Sequence, residues 1–483
     1  MACTTILVGK NASNNGSTLI SRSEDCPSGQ FCTKKLGLVL AENQPGKYKS
    51  IISKQEIELP KNPMRYTTSP NAEKNEGIWA AHGVNEVNVG MTATETITSN
   101  ERVLGADPLL KKGGFGEEDF NVIVLPYIKS ARQGVERLGA ILEEYGTYEM
   151  NGIAFSDENE IWWLETIGGH HWIARKVPDD SYVVMPNQFG IDDFDFDDAY
   201  GAKKNYMCCK NLKDFIKEYH LDLTQPGKKF NPREAFGSHD DADHVYNTPR
   251  AWFIERYLNP KSAKWDGPDA DFKPDSDDLP WSMVPEKKIT VEDIKYLMSS
   301  HYNGTEYDPY GSYGNHEKRG AFRSIGINRN CATTIIEIRG DLPETCRSIQ
   351  WSSFASNAFN VFAPVYTNIS KLPRYYTFVP KNVSTESFYW TSRLIAALSD
   401  AGYKKCQNRI ERYQLAVGAR ANEILNKYDK EISQADKSKS MELCEKANSE
   451  IAKMVKEESD KVLGLVLFET SNLMKNSYSR SDA

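Results

Sequence analysis

Nowhere does the chain approach the ~20 consecutive apolar residues that a membrane-spanning helix needs, so no membrane partner is expected. It has no excess of positive charge either. Lys and Arg number 59 against 67 Asp and Glu, a net charge of −8. A nucleic-acid partner is therefore not expected, because such binding needs a clustered basic face. Cys-x-x-Cys spacing is missing, and the nine cysteines are scattered apart from Cys208-Cys209. An odd, unpatterned set suits a reducing compartment rather than a zinc site. The N-terminus lacks the basic stretch and apolar run of a secretory signal. A cytoplasmic protein is expected. There is no Gly-x-Ser-x-Gly elbow for a Ser-His-Asp triad, and Gly114-Phe115-Gly116 has no Rossmann context. Lys10 precedes its Gly-containing turn and no helical pattern follows, which rules out a phosphate loop.

What is present is an ordinary globular composition, 39% hydrophobic and 26% charged over 483 residues. That length suits one large domain or two to three average ones. The informative feature is Cys3, which opens the strand-like run Cys3-Thr4-Thr5-Ile6-Leu7-Val8. Removal of Met1 and Ala2 would put a thiol and a free α-amine on one residue. A free α-amine titrates near ~7.7–8.0, a useful range for a base at neutral pH. A hydroxyl nucleophile can be activated by the chain's own terminal amine, and a thiol can use the same device. The plain alternative is a small strand residue near the start of the chain.

The turn cluster Lys10 to Ser17 is followed by a second β pattern, Thr18-Leu19-Ile20-Ser21-Arg22. A turn centred near residues 12–13 sets Arg22 opposite Cys3, with Asp25 at the strand end. A cation beside a thiol favours the thiolate. The Asp25 carboxylate is expected to hold Arg22 or the α-amine. The alternative is an ordinary surface ion pair between Arg22 and Asp25.

Farther along, β-like runs alternate with helical spacing. Residues 119–145 read as helix broken near Pro126. Gly152–Ser156, Ile161–Thr166, His171–Arg175 and Tyr182–Met185 read as one meander. Leu212–Tyr219 and Thr290–Tyr302 read as helices. Residues 225–285 hold eight Pro and many Asp and read as loop. Strands return at Ala332–Ile338 and Ser348–Trp351, and residues 418–464 read as two helices divided near Asp436-Lys437-Ser438. Strand clusters separated by helices indicate a layered α+β core. The group His239, Asp240, Asp241, Asp243 and His244 matches no zinc spacing, and Asp192 to Asp198 lack the Gly and Glu of a calcium loop. No metal and no cofactor are expected. His170-His171 are read as structural.

Three segments resemble one family: Cys3-Thr4-Thr5-Ile6-Leu7-Val8-Gly9-Lys10, Ser21-Arg22-Ser23-Glu24-Asp25, and the stretch from His82 through Asn85-Glu86, Gly90-Met91-Thr92 and Ala93 to Thr96. Together they resemble the C69 dipeptidases, N-terminal-nucleophile hydrolases related to penicillin V acylase and bile salt hydrolase. The resemblance spans about residues 3–400. It implies a four-layer αββα sandwich, with residues 401–475 as a helical extension packed on the core. It implies a cysteine-type dipeptidase acting through an acyl-enzyme, with Cys3 as nucleophile and Arg22 and Asp25 tuning it. Asn187 would help form the oxyanion hole, and Arg250 would be a distal active-site arginine. The implied partner is a small peptide, in a homo-oligomer. Thr92 stands where bile salt hydrolases carry Asn, so its hydroxyl or a backbone N–H would serve there. Ala2 masks the amine of Cys3, so a cleavage beyond initiator removal is required. The rival readings are hydrolysis of a non-peptide amide, a metallopeptidase, and a non-catalytic protein of the same fold.

Overall fold

The computed structural model describes residues 3–73, 77–92 and 95–475. The strand Cys3–Val8 is buried at every position. A strand covered on both faces can be apolar on both, which is why Ile6-Leu7-Val8 does not alternate with polar residues. It lies inside an antiparallel sheet that has seven strands among the described residues. Their order is Ser282–Met283, Tyr182–Met185, Cys3–Val8, Thr18–Asp25, Asn330–Ile338, Ser348–Phe354 and Ala363–Tyr366. A second antiparallel sheet has nine described strands. Along it run Tyr206–Cys208, His171–Lys176, Ile161–Ile167, Asn151–Ser156, Gly90–Thr92, His82–Asn85, Tyr66–Thr68 and Gly37–Val39, and Glu95–Thr96 pairs with Asn151–Ser156. The chain is thus α+β with antiparallel sheets.

The two sheets face each other. Thr18–Asp25 lies against Gly90–Thr92 and Asn151–Ser156. Leu7, Ile20, Val183 and Ile336 from the first sheet share one core with Val84 and Ala154 from the second. The approach is close at Gly90, where an added Cβ would come within 2.9 Å of Ile336 and 2.8 Å of Ser156. On the outer side of the second sheet sits the helix Ala131–Tyr145. The outer side of the first sheet carries a second core. There Ile6, Val8, Leu19, Ile335 and Trp351 meet the helices Thr248–Leu258, Val291–Met298 and Phe388–Ala401 and the long pair Tyr403–Gln434 and Lys437–Ser471.

The long pair divides at Ala435-Asp436, as its spacing predicts. Cys406, Ile410, Tyr413, Val417, Ala421, Ile424 and Tyr428 recur at three- and four-residue intervals on the buried side of the first helix. The second helix caps the edge strand Ala363–Tyr366. Buried Asn448 accepts from Tyr366 N at 2.8 Å and donates to Tyr366 O at 3.0 Å, doing for that edge what a neighbouring strand would do.

Three expectations need correcting. Tyr182–Met185 does not continue the meander. Asn151–Ser156, Ile161–Ile167 and His171–Lys176 form it, and the chain then crosses to the other sheet, pairing with Thr5 to Val8. The turn at Pro178–Asp180 makes the crossing. Asp179 O accepts from Asn11 N at 2.6 Å, tying that turn to the first hairpin. The vacated edge is taken by Tyr206–Cys208. Second, the proline-rich stretch 225–285 contains the buried helix Thr248–Leu258. Pro249 stands in its first turn, where a missing N–H costs nothing, so this proline starts a helix rather than breaking one. Third, Thr5 rather than Cys3 lies opposite Arg22, and Cys3 faces Glu24. The hairpin turn is centred one residue later than the turn residues suggest, which shifts the pairing by two. A two-residue shift leaves every side chain on its original face.

The helix Ala131–Tyr145 touches its sheet through glycine. A Cβ on Gly139 would stand 2.3 Å from the Trp172 ring, and one on Gly134 2.3 Å from the Phe155 ring. Gly139→Ala is therefore expected to destabilise by roughly 1–3 kcal/mol through overpacking, despite alanine's better helix propensity. Gly105→Ala, in a helix where no described residue lies within 4 Å of the new Cβ, should be neutral or stabilising. Denaturant unfolding of the two variants checks the contrast.

Candidate active site

Cys3 and Arg22 are 0% and 1% exposed. In an extended strand alternate residues share a face. Cys3, Thr5 and Leu7 on one strand and Arg22 and Ile20 on the next therefore point between the sheets. From the diagonal position, Arg22 Nη2 donates to Cys3 Sγ at 3.0 Å. Nη1 donates to Ala81 O at 3.1 Å. A buried guanidinium needs a counter-charge. Glu117 supplies it, its Oε1 accepting from the same Nη2 that holds the sulfur. Glu117 is the first residue of the helix Glu117–Val124, and its backbone N–H donates to the Glu149 carboxylate.

A separate set of groups holds the nitrogen of Cys3. Cys3 N donates to Asn187 Oδ1 at 3.2 Å. That oxygen also accepts from Arg250 Nη2 at 2.8 Å. Asn187 Nδ2 donates to Thr96 O at 2.9 Å. Two donors facing one end of the amide and a carbonyl facing the other fix its orientation. Arg250 lies at the start of the helix Thr248–Leu258. Its Nη1 donates to Thr4 Oγ1 at 2.8 Å and to the Cys3 carbonyl, and its Nε donates to Tyr246 O at 2.8 Å. Asn247 completes the clamp. Its Oδ1 accepts from Arg250 Nη2 at 2.6 Å and from Asn187 N at 3.2 Å, while its Nδ2 donates to Asn187 O at 3.2 Å. Farther along the same loop, buried Glu165 accepts from Gly190 N at 2.7 Å and from Trp163 Nε1 at 3.0 Å.

Four of the five expected residues, Cys3, Arg22, Asn187 and Arg250, thus meet. Asp25 sits differently. It lies three positions after Arg22, an odd offset, so the two carry their side chains on opposite faces of the strand. The Asp25 carboxylate is met by Arg323, by Asn330 Nδ2 at 2.6 Å and by Arg329 at 3.8 Å. Its link to the site runs through Arg323, which also reaches Thr4 Oγ1 at 3.4 Å beside Arg250.

Opposite Cys3, Glu24 pairs with buried Lys34 at 2.7 Å. Burial raises the Glu24 carboxyl, against the pull of Lys34 and Arg22. His82 lies between the sheets, bonded to Ser69 Oγ at 2.7 Å and to Thr334 Oγ1. Burial, aided by Arg22 and Lys34, holds it well below the ordinary histidine range, so it carries no charge at neutral pH. Thr92 Oγ1 accepts from Ala154 N at 2.9 Å and is spent on the sheet. Met1, Ala2, Ala93 and Thr94 lie outside the described residues.

The acidic runs serve the fold. Asp195 caps the helix Phe196–Tyr200, and Asp198 accepts from the backbone of residues 204–206. His244 pairs with Asp277 at 2.9 Å, and Asp107 takes both His170 and His171. Among the described residues no group of three or more His, Cys, Asp or Glu is placed to hold a metal ion. Sequence reasoning missed Glu117, Asn247, Arg323 and Asn330. Glu117 had a signal: Glu117-Glu118-Asp119 follows Gly116 and opens an apolar run, the pattern of a helix start. That all three acids are buried could not be read from it.

The model of peptidase family C69 matches residues 2–416 of the chain. The chain is 48% identical over 532 aligned positions to a protein named dipeptidase from Bifidobacterium longum (strain NCC 2705), covering all of both. It is 50% identical over 482 positions to a probable dipeptidase A of Streptococcus pyogenes serotype M3 (strain SSI-1), again covering all of both. To dipeptidase A of Lactobacillus helveticus it is 43% identical, with 99% of each chain covered.

Glu165 offers a test of the loop that carries Asn187. Burial pushes its carboxyl from 4.5 to about 7. The folded state therefore keeps a proton that the unfolded chain releases between these values, and the stability from this group falls as pH rises through that window. Glu165→Gln cannot ionise. Its stability relative to wild type should improve by up to roughly 3 kcal/mol between pH 4.5 and 8. Denaturant titrations across that range check this, and a difference independent of pH would contradict it.

Proposed function

The chain belongs to peptidase family C69, and from that premise we propose that it is a dipeptidase whose nucleophile is the thiol of Cys3, acting from a free N-terminus. The observation that carries the reading is the division of labour around one residue. Arg22 stands at the sulfur, 3.0 Å away, while Asn187 and Arg250 stand at the nitrogen side. A nucleophile and its base on one residue require two such supports that do not compete.

The reaction runs in two halves. The α-amine of Cys3 takes the thiol proton, and the sulfur attacks the scissile carbonyl while Arg22 stabilises the charge on it. The tetrahedral intermediate collapses as the ammonium returns its proton to the leaving amine, which departs as the C-terminal amino acid. Water, deprotonated by the same amine, then cleaves the thioester and releases the N-terminal amino acid. Asn187 turns its Oδ1 to the nucleophile's nitrogen and its Nδ2 to Thr96 O. In this reading it aims the amine, and backbone N–H groups receive the oxyanion. Arg250 fixes Asn187 and the Cys3 carbonyl. Asp25, through Arg323 and Thr4, braces the reverse face of the same strand.

The fold in this reading is the four-layer αββα sandwich of N-terminal-nucleophile hydrolases, supported by helices on the outer faces of two facing sheets. Residues 3–400 form the catalytic unit and residues 401–475 an extension that covers the Ala363–Tyr366 edge.

Purified protein assayed on a dipeptide panel, with penicillin V and a conjugated bile acid alongside, tests the reading. Dipeptides should be cleaved and the other amides left intact. Cys3→Ala should lower kcat by at least about 10³-fold with the unfolding midpoint unchanged. Turnover surviving in Cys3→Ala would overturn the mechanism.

A further inference from the structure

Resting on the dipeptidase reading, we infer that Glu117 and Glu149 form the subsite that binds the free α-ammonium of the substrate's N-terminal residue. One acceptor beside Arg22 is left over. Glu117 is 2% exposed; its Oε1 meets Arg22, and its Oε2 is buried with no hydrogen-bond partner among the described residues. A buried carboxylate oxygen left unbonded is costly unless a ligand completes it. The Glu149 carboxyl meets the same residue at its backbone, one of its oxygens accepting the Glu117 N–H, and feels the Glu117 charge. Two carboxylates and one guanidinium leave net negative charge next to the nucleophile, and a donor-rich cation is the chemistry that matches it.

The spacing fits the reaction. Cys3 Sγ and Glu117 Oε1 share one donor atom, Arg22 Nη2. In an α-amino acyl group the nitrogen lies two bonds, about 2.5 Å, from the carbonyl carbon. An attack distance of about 3–3.5 Å then puts that nitrogen within about 6 Å of the sulfur, the reach of a carboxylate that shares a hydrogen-bond donor with it. A penicillin or a bile acid conjugate offers no cation at this position. The subsite therefore supplies a reason for peptides with a free amine to be preferred over other amides. The state of Glu149 agrees. Burial and then the Glu117 charge push its carboxyl up to about 7, a strain that an ammonium between the two would relieve.

The test compares kcat/KM for one dipeptide with that for its N-acetyl derivative, in wild type and in Glu149→Gln and Glu149→Asp. Wild type should prefer the free amine by about 100-fold or more. Glu149→Gln should cut that ratio at least about tenfold, mainly through KM, and Glu149→Asp should restore part of it. Equal rates on both substrates in wild type would overturn the subsite, as would equal losses on both in Glu149→Gln. Mass-spectrometric detection of iodoacetamide on Cys3 in each variant keeps the two readings apart. A labelled, active enzyme with no amine preference sinks the subsite alone, whereas hydrolysis persisting in Cys3→Ala sinks the nucleophile.

Discussion

The guanidinium of Arg22 has no contact with solvent, and that single fact constrains most of its surroundings. A buried cation has to be met by negative charge and by acceptors for its remaining donors. Glu117 provides the charge, Ala81 O an acceptor, and the Cys3 sulfur takes the position between them. Each partner is delivered by a different element: a helix start, the segment entering the strand His82–Asn85, and the neighbouring strand. The inner ends of the two sheets are therefore polar where they meet at Cys3 and apolar farther in, at Leu7, Ile20 and Ile336.

The nitrogen side is built on the same economy of charge. Arg250 is fully buried, and its donors run to Asn187, Asn247, Thr4, Tyr246 O and the Cys3 carbonyl. Asn247 bonds both Arg250 and the backbone of Asn187, which ties the helix Thr248–Leu258 to the loop after Met185. Glu165 pins the same loop from the second sheet. The first residue of the interior strand is thus fixed in two directions, by groups that arrive from sequence positions more than 180 residues away.

Much of this was legible in the sequence, and the misses have physical causes. The hairpin and the meeting of Cys3 with Arg22 follow from a turn cluster between two β patterns. The register error of two left the faces intact, which is why the pair survived it. The Arg22–Asp25 pairing failed on parity, since an odd spacing in a strand sends side chains to opposite faces. The alternative of an exposed ion pair failed because both side chains are buried. The helix bearing Arg250 was hidden in a stretch read as loop for its eight prolines, one of which, Pro249, is a helix initiator. Tyr182–Met185 was recognised as a strand, but its sheet was not. Strand order depends on which edges remain open after folding, and local pattern carries no record of that. Glu117 was invisible as a partner for the reason that governs most buried charges: a run of three acids reads as surface until a cation 95 residues away is known to lie beside it.

The account stands on one residue supplying both a thiol and an unblocked amine. Intact-mass and N-terminal peptide measurements on fully active purified enzyme test this most directly. The account predicts a chain that begins at Cys3, with Met1 and Ala2 both gone. Full turnover by molecules that all retain Ala2 on the nitrogen of Cys3 would contradict it.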